Sequence, residues 1–123
     1  TTMAEHNLLG QAGEDLAADF LLSKGYYIRH RNWRAGRHEL DIIAVQDGTL
    51  VVVEVKTRRN GSFGDPYEAI DERKVRSIVW ATDAYLRRFN LDMPVRFDVI
   101  AVTGNAASHS IEHIEDAFYP PLE

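Results

Sequence analysis

The segment Glu39 to Thr57, ELDIIAVQDGTLVVVEVKT, constrains the fold more than any other part of this chain. Two runs rich in Val, Ile and Leu, Glu39 to Val45 and Thr49 to Thr57, flank the pair Asp47-Gly48. Asp-Gly between two such runs is a strong hairpin signal, because a type I′ two-residue turn needs φ above zero at both central positions. Both runs are apolar at consecutive rather than alternate positions, the pattern of strands covered on both faces. A sheet built around this hairpin needs helices on both sides.

The flanking sequence supplies them. Asn7 to Lys24 carries Leu9, Ala12, Leu16, Ala17, Phe20 and Leu21 at helical spacing, with Gly25 at the expected stop. Tyr26 to Trp33 reads as a strand, Arg34 to His38 as a loop, and Thr57 to Pro66 as a polar, Gly-containing loop. Tyr67 to Phe89 places Ile70, Val75, Ile78, Val79, Thr82, Tyr85, Leu86 and Phe89 on one stripe and reads as a longer helix. Val95 to Val102 returns as a strand, which a helical crossover puts parallel to the strand 49–57. A weak last strand is expected over Ser110 to Ile114. The order is αβββαβ, an α/β class with a mixed sheet flanked by helices, and 123 residues suit one domain.

Two residues conflict with the apolar runs that hold them. Asp41 sits among Leu40, Ile42 and Ile43, and Glu54 interrupts Val51-Val52-Val53 and Val55. A carboxylate in such surroundings costs several kcal/mol unless a cation, strong hydrogen bonds or a proton compensates it. Counting outward from the turn pairs Val45 with Leu50 and Asp41 with Glu54, so two like charges face each other. Strand alternation puts Lys56 on the face of Glu54, about 6.5 Å along the strand. Two carboxylates, the Val55 carbonyl and water form an all-oxygen set suited to Mg²⁺ or Mn²⁺. The competing reading is a structural ion pair, Asp41 or Glu54 with Lys56, at a sheet edge. Glu14, at the margin of the first helix's apolar stripe, is either a solvated helix acid or a group pointing over the sheet toward Asp41. Glu39 shares a strand face with Asp41 and is either a further ligand or a partner for a basic residue. His109 and His113 have metal-like spacing but no accompanying ligand, and are expected at the surface. Trp33 and Trp80 are expected in the core or at its edge.

Charge sets limits on partners. The net charge of −5 speaks against nucleic acid at face value. Its placement speaks differently: Phe97 to Glu123 holds five acids (Asp98, Glu112, Glu115, Asp116, Glu123) and no Lys or Arg, so fourteen bases balance fourteen acids in residues 1–96. Basic clusters lie at Lys24 to Arg37, at Lys56, Arg58 and Arg59, at Arg73, Lys74 and Arg76, and at Arg87 and Arg88. Counting Asp41, Glu54 and Glu14 as ligands leaves a basic surplus of three there. Cys is absent, which excludes disulfides, and no apolar run approaches the length of a membrane span. The first ten residues contain no apolar leader, so a cytoplasmic location is expected.

Gly13-Glu14-x-x-Ala17, Gly25-Tyr26, Arg31-Asn32-x-Arg34, Glu39-Leu40-Asp41, Val53-Glu54-Val55-Lys56-x-Arg58, Phe63-Gly64-x-Pro66, Lys74 and Arg96-Phe97-Asp98 occur in this order. Together they resemble the YraN-like family of small bacterial proteins over nearly the whole chain. That family resembles the PD-(D/E)XK, restriction-endonuclease-like nucleases, and most closely archaeal Holliday junction resolvases, whose core is also αβββαβ. The resemblance implies Glu14, Asp41 and Glu54 as metal ligands and Lys56 as the catalytic lysine. The chain departs from the family at His38, where Gly is usual before the acidic motif; a side chain there narrows the approach or adds a phosphate contact.

The function expected from these residues is a metal-dependent DNA endonuclease acting on branched DNA. Arg31, Arg34, Arg37, Arg58, Arg59 and Lys74 are the expected phosphate contacts. No element for reading bases is visible, so DNA structure rather than sequence is the expected target, and paired cuts in a four-way junction call for a homodimer. Two rival classes are a nucleic-acid-binding module without turnover and a protein-interaction role for the acidic tail.

Overall fold

The computed structural model describes residues 2–58, 70–105 and 107–121, with side chains from residue 10 onward. The elements are α1 (Thr2–Ser23), β1 (Tyr27–Ala35), β2 (His38–Gln46), β3 (Thr49–Arg58), α2 (Glu72–Arg88), β4 (Val95–Gly104) and β5 (His109–Ile114). The five strands form one sheet in the order β1-β2-β3-β4-β5. The first three make an antiparallel meander, β4 runs parallel to β3, and β5 is antiparallel to β4. The expected αβββαβ order is therefore present, and the weak last strand is real.

Local chemistry explains the elements. Asp47 and Gly48 have φ of 50° and 76°, as a type I′ turn requires, and they close the predicted pair Val45–Leu50 together with Gln46–Thr49. The Arg34 to His38 loop is instead a second tight hairpin: Ala35 pairs with His38, and Gly36 at φ 60° makes the two-residue turn. Helix α2 begins later than periodicity suggested, at Glu72, because the Asp71 carboxylate accepts the Lys74 N–H at 2.8 Å and caps the first turn. Ile70 lies outside the helix, and residues 67–69 of the predicted helix lie outside the described residues. So do the Phe63-Gly64-x-Pro66 motif and Arg59.

Both faces of the sheet are covered. Ala17, Ala18 and Leu21 of α1 pack on Ile42, Ala44, Val51, Val53, Ile100 and Val102. Ile78, Ala81 and Tyr85 of α2 pack on Leu40, Ile43, Leu50, Val52 and Phe97 from the other side. Among the described residues no helix is long and apolar enough to cross a membrane.

Gly13 is where α1 comes closest to β3. A Cβ built there would overlap Thr57 Oγ1 and lie 2.8 Å from its Cγ2. Helix propensity favours Gly13→Ala by up to about 1 kcal/mol, whereas forcing a methyl into packed space costs about 1–3 kcal/mol. Gly13→Ala is thus expected to lower stability by about 1–2 kcal/mol in urea melts. Adding Thr57→Ala should restore most of that loss, and an equal loss in the double variant would refute the contact.

One acid of the tail is buried, and so is the side chain of a histidine expected at the surface. Asp98 is 0% exposed and binds both arms of Arg96 (Nε 2.9 Å, Nη2 2.8 Å), His113 Nε2 (2.7 Å) and the Asp116 N–H (3.1 Å). The His113 side chain is 4% exposed, so this histidine joins β5 to β4 through Asp98. The deficit in the tail is therefore partly interior charge, matched by Arg96.

Candidate functional site

The hairpin ladder stops where the acids begin. Backbone pairing of β2 with β3 ends at Ile42–Val53, and beyond it the Asp41 carboxylate accepts the Val55 N–H at 2.9 Å. At the same level Asn32 of β1, which stands opposite Asp41 between the pairs Arg31–Ile42 and Trp33–Leu40, has φ 52°, whereas the register shift of β1 against β2 lies at Ile28 to His30. Leu40 packs on the α2 side and Ile42 on the α1 side, so the two-residue alternation slips by one at Asp41. Such a slip re-aims the side chain between the strands. In an extended strand the N–H and C=O of one residue leave toward the same neighbour, which turns the Val55 carbonyl to this split as well.

Glu54 enters from the α2 face, beside Val52. It is 4% exposed, and its Oε2 lies 3.6 Å from Lys56 Nζ and 3.3 Å from Lys74 Nζ. Burial, and then the negative charge of Glu54, push the Asp41 carboxyl up to about 8, against the pull of the Val55 N–H. A shared hydrogen bond with Glu54 acts in the same direction. A cation seated between the two carboxylates would relieve the same repulsion.

Glu14 is turned elsewhere. Its Oε1 lies 3.5 Å from Arg31 Nη2, and burial raises its carboxyl against the pull of Arg31 and an Asn32 hydrogen bond. It reaches Asp41 only as a more distant charge. Among the described residues no three of His, Cys, Asp and Glu gather into a metal cluster. The donors at the split are two carboxylates and the Val55 carbonyl, hard oxygen ligands that fit Mg²⁺ or Mn²⁺ provided water or phosphate supplies the rest.

The basic residues divide. Arg31 is held by Asp15 at 2.6 Å and by Glu14, and Arg34 by Glu39 at 3.1 Å. Lys74 is turned to Glu54, and Arg58 ends β3 two positions beyond Lys56. Arg37 lines a groove of about 540 Å³ with His38, Arg73, Arg76, Ser77 and Trp80. A second groove of about 380 Å³, lined by Lys56, Asp71, Arg73, Lys74 and Ser77, shares Arg73 and Ser77 with it. The two adjoining grooves thus run along α2 from Lys56 and Lys74, the lysines on Glu54, to Arg37 and Trp80. Sequence reasoning nominated only Lys74 from the Arg73-Lys74-x-Arg76 cluster and expected Trp80 at the core edge, yet Trp80 is 53% exposed. Its omission from the apolar stripe of α2 was the available signal.

Comparison with known proteins finds relatives that match nearly the whole chain. Residues 13–102 match a family model described as Uncharacterised protein family UPF0102. A UPF0102 protein of Phocaeicola vulgatus is 55% identical over 120 residues, covering 98% of this chain and 99% of its own. A UPF0102 protein of Bacteroides thetaiotaomicron is also 55% identical over 120 residues, with 98% and 99% covered. UPF0102 protein FP2501 of Flavobacterium psychrophilum is 47% identical over 117 residues, with 95% and 98% covered.

Proposed function

On the premise that this chain belongs to the uncharacterised protein family UPF0102, we propose that it is a cytoplasmic, metal-dependent DNA endonuclease that hydrolyses phosphodiesters in branched DNA such as Holliday junctions. The observation that carries this reading is the pair of carboxylates at the split, Asp41 on the Val55 N–H and buried Glu54, with Lys56 and Lys74 beside them and a basic groove leading away.

Asp41, Glu54 and the Val55 carbonyl would hold Mg²⁺ or Mn²⁺. Such an ion supplies Lewis-acid polarisation of the phosphate and lowers the pKa of bound water. The chain's own residues do the rest. Lys74 fixes Glu54 in place, so that the carboxylate is presented without a search through rotamers. Lys56 donates to the phosphate oxygen on which charge develops, or orients the attacking water. Arg37 and Arg73 hold flanking phosphates, which makes binding strongly salt-dependent. Paired cuts across a four-way junction require two copies, so the reading includes a homodimer.

The test incubates the protein with linear, flapped and four-way DNA and Mn²⁺, beside Asp41→Ala, Glu54→Ala and Lys56→Ala. Both acid variants should lose cutting, and Lys56→Ala should lose about 10²–10³-fold while still binding DNA. Cutting that survives both acid substitutions would sink the site. One observation favours a second reading, a DNA-binding module without turnover: Glu54 is already paired with two lysines. Calorimetry showing no Mg²⁺ or Mn²⁺ uptake, with DNA affinity intact, would select it.

A further inference from the structure

We propose that His38 and Trp80 form a stacking platform for an unpaired nucleobase, so that the preferred DNA carries single-stranded nucleotides beside the bond to be cut. The inference deepens the endonuclease reading and rests on it for the choice of DNA. Trp80 is 53% exposed on α2, although its neighbours Ile78 and Ala81 are buried. Its ring does not stand alone: the His38 imidazole lies 4.7 Å away, centroid to centroid, at 45°. His38 is itself held, with Nδ1 2.6 Å from Ser77 Oγ. Ser77 and Trp80 are three positions apart and therefore adjacent on the helix surface. The first residue of β2 is thus clamped against α2, and the two aromatic rings form one ordered surface.

The charge around this surface matches a nucleic-acid strand. Arg37, Arg73 and Arg76 line the same groove, and the groove continues past Arg73 and Ser77 to Lys56 and Lys74. The nearby acids, Glu72 and Asp83, are paired with Arg76 at 2.6 Å and with Arg87 at 2.7 Å. From Lys74 to Trp80 is six residues, about 9 Å along the helix axis. A stacked strand rises 3.4 Å per nucleotide, so the platform sits about two or three nucleotides from the acids. A base inside a duplex keeps its faces stacked on its neighbours and cannot use the ring, whereas a base at a flap, fork or open junction can. Aromatic stacking of this kind tolerates any sequence, because every base has a π face.

The experiment measures binding of the full chain in EDTA, where nothing is cut, to a fluorescent single strand of dT, a flapped duplex and a fully paired duplex. Trp80→Ala should weaken the single strand and the flap by about 5- to 100-fold and the paired duplex by less than about 2-fold. Trp80→Phe should retain most of the affinity. Intrinsic tryptophan fluorescence should be quenched by the single strand in the parent protein and not in Trp80→Phe, where Trp33 is the remaining tryptophan. Because Trp80 is exposed, melting curves of the variants should overlay the parent, which separates lost stacking from lost fold. Equal losses on flap and duplex, no loss on either, or quenching that persists without Trp80 would overturn the platform. None of these readouts involves cutting, so a failed platform leaves the endonuclease test standing, and a failed endonuclease test leaves the platform measurable.

Discussion

Asp41→Asn is expected to abolish metal-dependent cutting and, in the same molecule, to raise the melting temperature of the metal-free protein at alkaline pH. Asn has the shape of Asp, can still accept the Val55 N–H, and can donate to Glu54 without carrying a charge. In the parent, burial and Glu54 push the Asp41 carboxyl up to about 8 from an ordinary 3.8. The folded state therefore binds a proton that the unfolded state has released at any pH between those values. Stability conferred by that proton is full below about 4, falls as pH rises, and is gone above about 8. One pKa unit corresponds to about 1.4 kcal/mol, so the span is worth a few kcal/mol. Melting curves from pH 5 to 9 should slope down in the parent and stay flatter in Asp41→Asn. Mn²⁺ should restore the parent at pH 8, by about 2.7 kcal/mol at a hundred times its dissociation constant, and leave Asp41→Asn unmoved. Parallel pH profiles, or an equal response to Mn²⁺, would show that the two acids do not share a charge site.

The second large effect lies away from the site. Asp98→Ala is expected to cost about 3–5 kcal/mol, a drop of about 10–20 °C, because it removes the buried two-pronged partner of the Arg96 guanidinium and the partner of His113. Arg96 also reaches Tyr26 Oη at 2.7 Å and Glu115 at 3.2 Å, so the network ties the end of α1, β4 and the turn after β5 together. Burial alone would raise the Asp98 carboxyl, but the bonds from His113, Arg96 and the Asp116 N–H outweigh it and hold it below its ordinary 3.8. Its contribution is complete above that value and is lost as pH falls through the lower folded value. Glu115→Ala removes only an exposed partner and should change stability by less than about 1 kcal/mol. A loss at Asp98 as small as that at Glu115 would show the network to be incidental. DNA affinity should change in neither variant once it is folded.

These two acids show where reading along the chain succeeds and where it stops. Asp41 and Glu54 were legible because each breaks an apolar run, and a turn pair of known length placed them opposite one another. Asp98 breaks a similar run, yet its partners are Arg96 two positions back, His113 on β5 and the Asp116 N–H beyond it, so chain order alone grouped it with the acids of the tail. His113 was misjudged for the same reason. Glu14 was placed at the margin of its helix stripe, but which neighbour it meets depends on how α1 crosses the sheet, and it meets Arg31.

The sequence by itself determined the strand order, the hairpin and its register, the parallel return of β4, and the two acids with their lysine, because these follow from short-range periodicity and turn chemistry. Only the tertiary structure decided that the ladder opens at Asp41, that burial and Glu54 raise the Asp41 carboxyl, and that α2 lays Lys74, Arg73 and Trp80 along adjoining grooves beside His38. Those outcomes depend on the angle and depth at which helices dock on the sheet. That docking is set by the summed packing of both faces, which no local pattern encodes.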